Sequence, residues 1–263
     1  VLLITYQQRG YEMTKYATNG LVIYEGPSLL DGEPIVVVVT GLNKSSSNGK
    51  TGDMLQSWIL RQDMDPREAN KTGADFSICG NCRHRGIAHA EPDKALAKER
   101  TCYVLLYQAP LNVWTTWGKG RYAKAADVNA IARAGAGRKV RLGSYGDPAA
   151  VPAYVWDALL SDAEGHTGYS HQQSVAGSSF NAAWLMVSAD TLGDAEAAWS
   201  KGQRTFRVIK SMSAVVKGKE ILCPASKEAG YKTSCDKCGL CAGASIAAKS
   251  IAIVAHGNGA KYA

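Results

Sequence analysis

Residues 35–40, with the sequence IVVVVT, are predicted to form the first clear strand of the chain. A continuous run of β-branched residues is typical of a strand covered on both faces, as in a parallel sheet. The run belongs to the longest apolar stretch of the chain, which is far shorter than the ~20 residues of a membrane-spanning helix. We therefore expect a buried parallel strand and no membrane partner.

Further apolar runs follow this strand along the chain and alternate with helical patterns. The predicted strands are 35–40, 102–107, 139–144, 166–171, 183–188, 205–209, 220–223 and 250–255, and the predicted helices are 52–61, 112–119, 149–161 and 193–201. About eight strands alternating with helices favour an α/β fold, namely a (β/α)8-like parallel barrel with cysteine-rich metal-binding loops. Some crossovers are short, so an irregular barrel is expected, and a doubly wound open sheet is the alternative.

The predicted domain organisation is a short extension followed by one domain. Residues 1–34 are expected to form an N-terminal extension with an edge strand, and residues 35–263 a single barrel domain. Metal-binding insertions are expected at 79–102 and 223–241.

The composition is that of a globular protein: of 263 residues, 46% are hydrophobic and 20% are charged. The formal net charge of +7 is compatible with nucleic acid or another anionic substrate. No dense basic run is present, so the charge alone does not identify a partner, and the oligomeric state stays open. The N-terminus lacks the pattern of a signal peptide, and we expect a cytoplasmic protein.

Four of the seven cysteines stand close together in CPASKEAGYKTSCDKCGLCAG, residues 223–243. Seven is an odd number, and cysteines in a reducing compartment favour metal binding or catalysis over disulfides. Cys235, Cys238 and Cys241 form a CxxCxxC motif, and Cys223 lies twelve positions upstream. Four thiolates suit a [4Fe–4S] cluster, which this spacing favours, or Zn²⁺. A zinc site would use the CxxCxxC cysteines with either Cys223 or His256.

The other three cysteines are Cys79, Cys82 and Cys102. Three thiolates leave one iron of a second [4Fe–4S] cluster without a protein ligand. A zinc ion closed by His84 or His89 is the alternative for this group. The chain is thus expected to hold one or two clusters.

The loop TGLNKSSSNGKTG, residues 40–52, ends in Gly-Lys-Thr as a phosphate-binding loop does. The preceding glycine of that motif is missing, because Lys44 stands in its place. A loop of small residues can still bind an anion. We take Lys44, Lys50 and Thr51 as candidate cofactor-binding residues.

Three polar residues at predicted strand ends are the catalytic candidates. Asp147 lies in RLGSYGDP, His171 ends TGYSH, and Asp190 follows the strand at 183–188. In a β/α barrel the chemistry gathers at the carboxyl ends of the strands. Asp147 also has an alternative role, since Asp-Pro commonly begins a helix.

Several motifs occur in a fixed order: GKTG at 49–52, the CxxC pair, CYV at 102–104, GSYGDP at 143–148, TGYSH at 167–171, and CPAS…CDKCGLC…SIAIVAHG at the end. This ordered set resembles the uncharacterised phage and plasmid proteins called the "gene product 88"-like family, over residues 36–259. The resemblance implies a phage origin, and therefore the cytoplasm of an infected host cell. It implies no settled activity.

Two weaker resemblances bear on the chemistry. The chain is similar to radical S-adenosylmethionine enzymes in its expected barrel and its two cysteine groups, which implies S-adenosylmethionine as a cofactor, although their CxxxCxxC motif is absent. It also resembles transglycosylases that exchange guanine bases in nucleic acid, whose late zinc site Cys235, Cys238, Cys241 and His256 would imitate. The motif of these transglycosylases is CxCxxC. In this chain, Asp147 or Asp190 would have to serve as the nucleophile of such a reaction.

These observations predict an iron–sulfur barrel protein, an enzyme with redox or radical chemistry at the carboxyl ends of its strands. The first alternative is a zinc-containing, transglycosylase-like enzyme that modifies nucleic-acid bases. The second alternative is a non-catalytic, metal-stabilised module that binds nucleic acid or a host protein.

Overall fold

A computed structural model of the protein describes residues 16–91, 95–257 and 260–262, and it shows a mixed α/β fold. The strands are β1 (Gly20–Pro27), β2 (Pro34–Thr40), β3 (Leu55–Arg61), β4 (Ala123–Lys124), β5 (Lys139–Tyr145), β6 (Gly165–Thr167), β7 (Tyr169–Ser170), β8 (Met186–Ala189), β9 (Thr205–Ile209), β10 (Glu220–Leu222) and β11 (Ser250–Val254). The helices are α1 (Pro66–Thr72), α2 (Phe76–Cys79), α3 (Ala109–Gly118), α4 (Val128–Gly135), α5 (Ala153–Leu160), α6 (Leu192–Ser200) and α7 (Cys235–Cys238). Residues 1–15 of the predicted N-terminal extension lie outside the described part of the chain.

The strands form two sheets. One has six strands in the order β4-β1-β2-β3-β5-β6, and the other has five in the order β10-β11-β9-β8-β7. Every pair in the second sheet is parallel. In the first sheet, β2 is antiparallel to both β1 and β3, whereas β5 is parallel to both β3 and β6.

The apolar run at 35–40 is a strand, as predicted, and Ile35 to Val39 are fully buried. It is antiparallel to both of its neighbours, so the prediction of a parallel strand was wrong. Burial on both faces produces the same continuous apolar run whichever way the neighbouring strands point. The sequence pattern therefore reported burial and left the strand direction undetermined.

The two sheets meet at Gly168, between β6 and β7. β6 pairs with β5 in the first sheet, and β7 pairs with β8 in the second. The Gly168 N–H donates to the carbonyl of Cys241 (3.2 Å), and its carbonyl accepts from the N–H of Met186 (3.0 Å). A single residue thus joins the two sheets and the second cysteine group.

A closed barrel is not found within the described residues. The outermost strands, β4 and β10, each pair on one side only. The all-parallel order that the barrel prediction assumed does not hold for β1 to β3, because short hairpin and loop connections bring these strands back antiparallel. No helix in the described ranges is both long enough and apolar enough to cross a membrane.

Two predicted elements were wrong. Residues 52–61, predicted as a helix, contain β3, which lies between β2 and β5 and is almost wholly buried. Residues 102–107, predicted as a strand, contain no strand, and the chain there lies against the cysteine groups. In both segments the tertiary environment outweighs a short local pattern.

The single strand predicted at 166–171 is also wrong, because the chain there forms two short strands, β6 and β7, in different sheets. The other predicted elements are present with bounds that differ by a few residues. β9 has the predicted bounds, and β5, β10 and β11 differ from theirs by one residue at an end. The strand predicted at 183–188 begins later, at Met186. The helix predicted at 149–161 begins at Ala153, after a 3-10 turn at Pro148–Ala150 and Pro152.

Gly168 offers a test of the junction between the sheets. A Cβ atom added there would lie 2.7 Å from Leu185 Cδ2, whereas one added at Gly165, the first residue of β6, would meet only Lys139 Cγ at 3.9 Å. Gly168→Ala is expected to destabilise the fold by about 1–3 kcal/mol through overpacking. Gly165→Ala is the matched control and is expected to unfold close to wild type. Equal urea midpoints for the two variants would contradict a tightly packed junction.

Candidate functional site

All seven cysteines line one cavity of about 240 Å³. The two sequence groups, separated by more than a hundred residues, therefore meet in space. None of the seven forms a disulfide. The cavity lies on one face of the central parallel strands, and side chains of β5, β7, β9 and β11 form its wall.

The second cysteine group is built on three elements. Cys223 follows β10, and its N–H continues the ladder to the carbonyl of Ala252 (2.8 Å). Cys235 and Cys238 are the ends of the one-turn helix α7, which Gly239 terminates with a φ of 64°. Cys241 hydrogen-bonds to the side chain of Tyr169 on β7. The turn thus aims the CxxCxxC cysteines at the wall of the cavity.

The glycine-rich loop at 40–52 supports this turn. The Cys235 N–H donates to the carbonyl of Lys50 (2.7 Å), and the Asp53 N–H donates to the carboxylate of Asp236 (3.3 Å). From β5, the Lys139 ammonium donates to the Asp236 carbonyl (2.7 Å). Gly52 has a φ of 62°, and a Cβ atom there would overlap the Asp236 carboxylate. The resemblance to a phosphate-binding loop therefore coincides with a structural role.

The first cysteine group lies at the other end of β5. Cys79 ends α2, and its carbonyl accepts a hydrogen bond from the Gln172 side chain (3.0 Å). Cys82 follows within a turn, because its N–H donates to the Cys79 carbonyl (3.2 Å). The Cys102 N–H donates to the carbonyl of His84 (2.9 Å), which brings the remote third cysteine beside the pair.

Burial makes these thiols hard to ionise. Burial raises the pKa of Cys241 to about 12, and it also raises the pKa values of Cys223 and Cys235. The negative charge of neighbouring thiolates raises these three pKa values further. Burial also raises the pKa of Cys79 well above its ordinary value and that of Cys102 above it. A buried thiolate without a compensating cation is unfavourable, so these are poor free nucleophiles. Buried thiols of this kind are either inert structural residues or metal ligands, since a bound cation removes their protons.

A β-bulge sets the shape of the wall between the two groups. Gln56 of β3 faces Arg141 and Trp58 faces Tyr145, so three residues of β5, 142–144, stand opposite Ser57 alone. Gly143 takes a φ of 66° within the bulge. Arg141 and Tyr145, four positions apart, lie at most about 13 Å apart along the strand. Bulges are frequent beside functional sites, where they redirect side chains.

Arg141 is a cavity residue that the sequence analysis missed. It is buried, and it lies near Cys235 and Cys241, which together with tyrosines raise its pKa against the lowering effect of burial. Its Nη2 donates to the Tyr103 hydroxyl (2.6 Å), and its guanidinium lies 5.8 Å from the Tyr169 ring centroid. No carboxylate within the described ranges pairs with it. The alternation of β5 could have indicated an inward arginine, but a strand pattern does not show which face borders a cavity.

The three catalytic candidates come together at the carboxyl ends of their strands. His171 Nε2 lies 3.1 Å from Asp190 Oδ1, and the His171 N–H donates to Asp147 Oδ2 (2.8 Å). Asp147 is buried, and its oxygens also accept from the Ala149 N–H (3.0 Å) and the Gln172 side chain (3.1 Å). Asp147 therefore caps the turn at Pro148–Ala150 and positions His171.

His84 is the fourth member of this cluster. His84 Nε2 lies 3.5 Å from the same Asp190 oxygen. Burial lowers the pKa of His84. Burial also lowers the pKa of His171, but the Cys82 thiolate and the Asp190 carboxylate outweigh it and raise that pKa well above its ordinary value.

The remaining predicted residues lie in different places. Lys50 and Thr51 line the cavity, whereas Lys44 is exposed and outside it. His256 is exposed at the cavity rim, where Nδ1 donates to the Val254 carbonyl (3.0 Å). His89 is outside the cavity, with Nε2 bonded to the Leu96 carbonyl (3.0 Å).

Donor atoms are closest together at the histidines, not at the cysteines. Among the described residues, only His84, His171 and Asp190 form a group of three or more potential ligands with donor atoms within 4.8 Å of one another. No three cysteine sulfurs in that part of the chain are therefore so close. The cysteines share a cavity at a wider spacing.

Comparisons of the chain with protein-family models, with curated proteins and with solved structures found no significant match. The functional conclusion therefore depends on the residues of the cavity and on their geometry. The resemblance to the "gene product 88"-like proteins stays a prediction from the motifs, as do the two weaker resemblances.

The contact between Gly52 and Asp236 tests the support of the second cysteine group. Gly52→Ala is expected to cost roughly 1–2 kcal/mol for the left-handed backbone alone and to push Asp236 away. The thermal midpoint and the metal content should both fall. Gly49→Ala, in open space on the same loop, is the matched control and should retain both. Identical metal content in the two variants would show that the loop does not support the cysteine turn.

Proposed function

We propose that this protein is an iron–sulfur enzyme with redox chemistry, in which Cys223, Cys235, Cys238 and Cys241 hold a [4Fe–4S] cluster. Cys79, Cys82 and Cys102 hold a second centre, either another cluster or a zinc ion. The observation that carries the proposal is the meeting of all seven cysteines in one cavity. The meeting of two cysteine groups from remote parts of the chain favours shared ligation over separate structural roles.

The spacing of the sulfurs disfavours a single zinc ion in either cysteine group. Four Zn–S bonds of about 2.3 Å directed to the corners of a tetrahedron place the sulfurs about 3.8 Å apart. Within the described residues, no three cysteine sulfurs come within 4.8 Å of one another. A cubane cluster gives each thiolate its own iron, and it therefore needs sulfurs that are farther apart than those around a single ion.

The surroundings of the second group suit a negatively charged cluster. The Tyr169 hydroxyl hydrogen-bonds to Cys241, and this interaction lowers the pKa of the thiol against the effect of burial. The buried Arg141 guanidinium supplies a positive charge beside Cys235 and Cys241. Hydrogen bonds to the sulfurs and nearby charge tune the reduction potential of such clusters. These residues would stabilise the reduced, more negative state.

The size and charge of the cavity favour a small anionic substrate. About 240 Å³ is slightly below the range of ordinary ligand pockets, which begins at about 300 Å³. Such a space limits a substrate to a small molecule, whereas a nucleic-acid strand requires an open groove. Arg141 has donors left for an anion, since Tyr103 is its one side-chain hydrogen-bond partner within the described ranges.

The geometry gives less support to base exchange on nucleic acid. That reaction needs a carboxylate nucleophile. The oxygens of Asp147 accept three N–H donors, and Asp190 faces two imidazoles. His256, the histidine of the corresponding Cys3His zinc site, is exposed at the rim. The redox proposal is therefore preferred.

The proposal is tested on protein purified without oxygen. Wild type is expected to be brown, with about four iron and four sulfide per chain from the second group, and more if the first group also holds a cluster. Cys235→Ser should remove about four of each. Lys237→Ala, which changes an exposed residue between two of the ligands, is the control and should keep the full amount.

Two results would overturn the proposal. Colourless wild-type protein with zinc and no acid-labile sulfide would exclude the cluster. Unchanged iron and sulfide in Cys235→Ser would show that the second group does not hold it. Circular dichroism of each variant separates loss of the cluster from loss of the fold.

A further inference from the structure

His84, His171 and Asp190 lie on three separate segments of the chain. His84 is in the 3-10 turn Arg83–Arg85, His171 directly follows β7, and Asp190 directly follows β8. Their donor atoms all lie within 4.8 Å of one another. Both imidazole Nε2 atoms face the same carboxylate oxygen, Asp190 Oδ1, at 3.5 Å for His84 and 3.1 Å for His171.

These separations are those of neighbouring ligands around one metal ion. Ligands at about 2.0–2.2 Å from an ion, at octahedral or tetrahedral angles, lie roughly 3 Å apart. Two imidazoles and one carboxylate are a donor set for Zn²⁺ with an open position, or for Fe²⁺ with two or three open positions. The side chains are 15–20% exposed, so the site is mostly enclosed and still reachable.

The surrounding residues orient the two imidazoles as they do around metal ligands. The Thr101 hydroxyl and His84 Nδ1 share a hydrogen bond of 2.6 Å. With Nδ1 as the donor in this bond, Nε2 has a lone pair for an ion. Asp147 fixes the main chain of His171 (2.8 Å), so the buried carboxylate acts through the histidine. Both histidines also line the cavity that the cysteines share.

The geometry points to a mononuclear site for a divalent transition-metal ion, zinc or ferrous iron, bound by His84, His171 and one oxygen of Asp190. This site differs from the neighbouring cysteine centres in its donors, which are nitrogen and oxygen. Its open positions face the cavity, where a water molecule or an oxygen of the substrate would bind the ion. His171 and Asp190 are then ligands and not an acid–base pair.

The site is tested by counting metal. Protein incubated with excess Zn²⁺ and desalted is analysed for total metal and acid-labile sulfide. Asp190→Asn and His84→Gln are each expected to carry about one metal ion fewer per chain than wild type, with unchanged sulfide. Asp157→Asn, on the exposed face of α5, and His89→Gln, outside the cavity, are the controls and should keep the wild-type metal content.

The sulfide measurement separates this site from the proposed clusters. Equal metal content in wild type, Asp190→Asn and His84→Gln would overturn the site, whether or not sulfide is present. Loss of one metal ion in protein without sulfide would support the site and contradict the clusters. The circular dichroism melting of Asp190→Asn, an isosteric change, confirms that a lost ion reflects a lost ligand in a folded protein.

Discussion

The hydrogen bonds of Gly168 hold together the parts of the molecule on which the site depends. Its N–H donates to Cys241, and its carbonyl accepts from Met186 at the start of β8. The chain passes there from β6 in one sheet to β7 in the other, and residues of β5, β7 and β9 line the same cavity. Both cysteine groups also line this cavity. No side chain larger than hydrogen fits between Leu185 and Leu142 at that point without displacing them.

The sequence indicated the α/β class because β-branched runs alternate with helical patterns, and β9 and β11 were located to within a residue. The sequence did not predict the direction of the strands. The buried run at 35–40 has the same pattern in a parallel or an antiparallel sheet, and here it is antiparallel. β3 was mistaken for a helix because LQSWILR has no strict alternation, and its burial depends on neighbours that are distant in the chain.

The site was predictable in its residue types and not in its assembly. The CxxCxxC motif predicted the second group as ligands, and the ends of the predicted strands predicted His171 and Asp190 as site residues. That the two cysteine groups share one cavity follows from tertiary packing, which no local spacing encodes. Lys44 was predicted to bind a cofactor because its loop resembles a phosphate-binding loop. In the structure that loop contacts the cysteine turn, through the Lys50 carbonyl. Arg141 was not predicted as a site residue because a single arginine within a strand forms no recognisable motif.

Burial is the physical constraint that connects fold and chemistry. Under the proposed function, the bound metal would remove the protons of these buried thiols, and its binding energy would stabilise the fold. The most direct measurement is an anomalous diffraction map at the iron edge, from crystals grown without oxygen. We expect a multi-iron peak bounded by Cys223, Cys235, Cys238 and Cys241. No iron there, or a single zinc peak in its place, would contradict the iron–sulfur proposal.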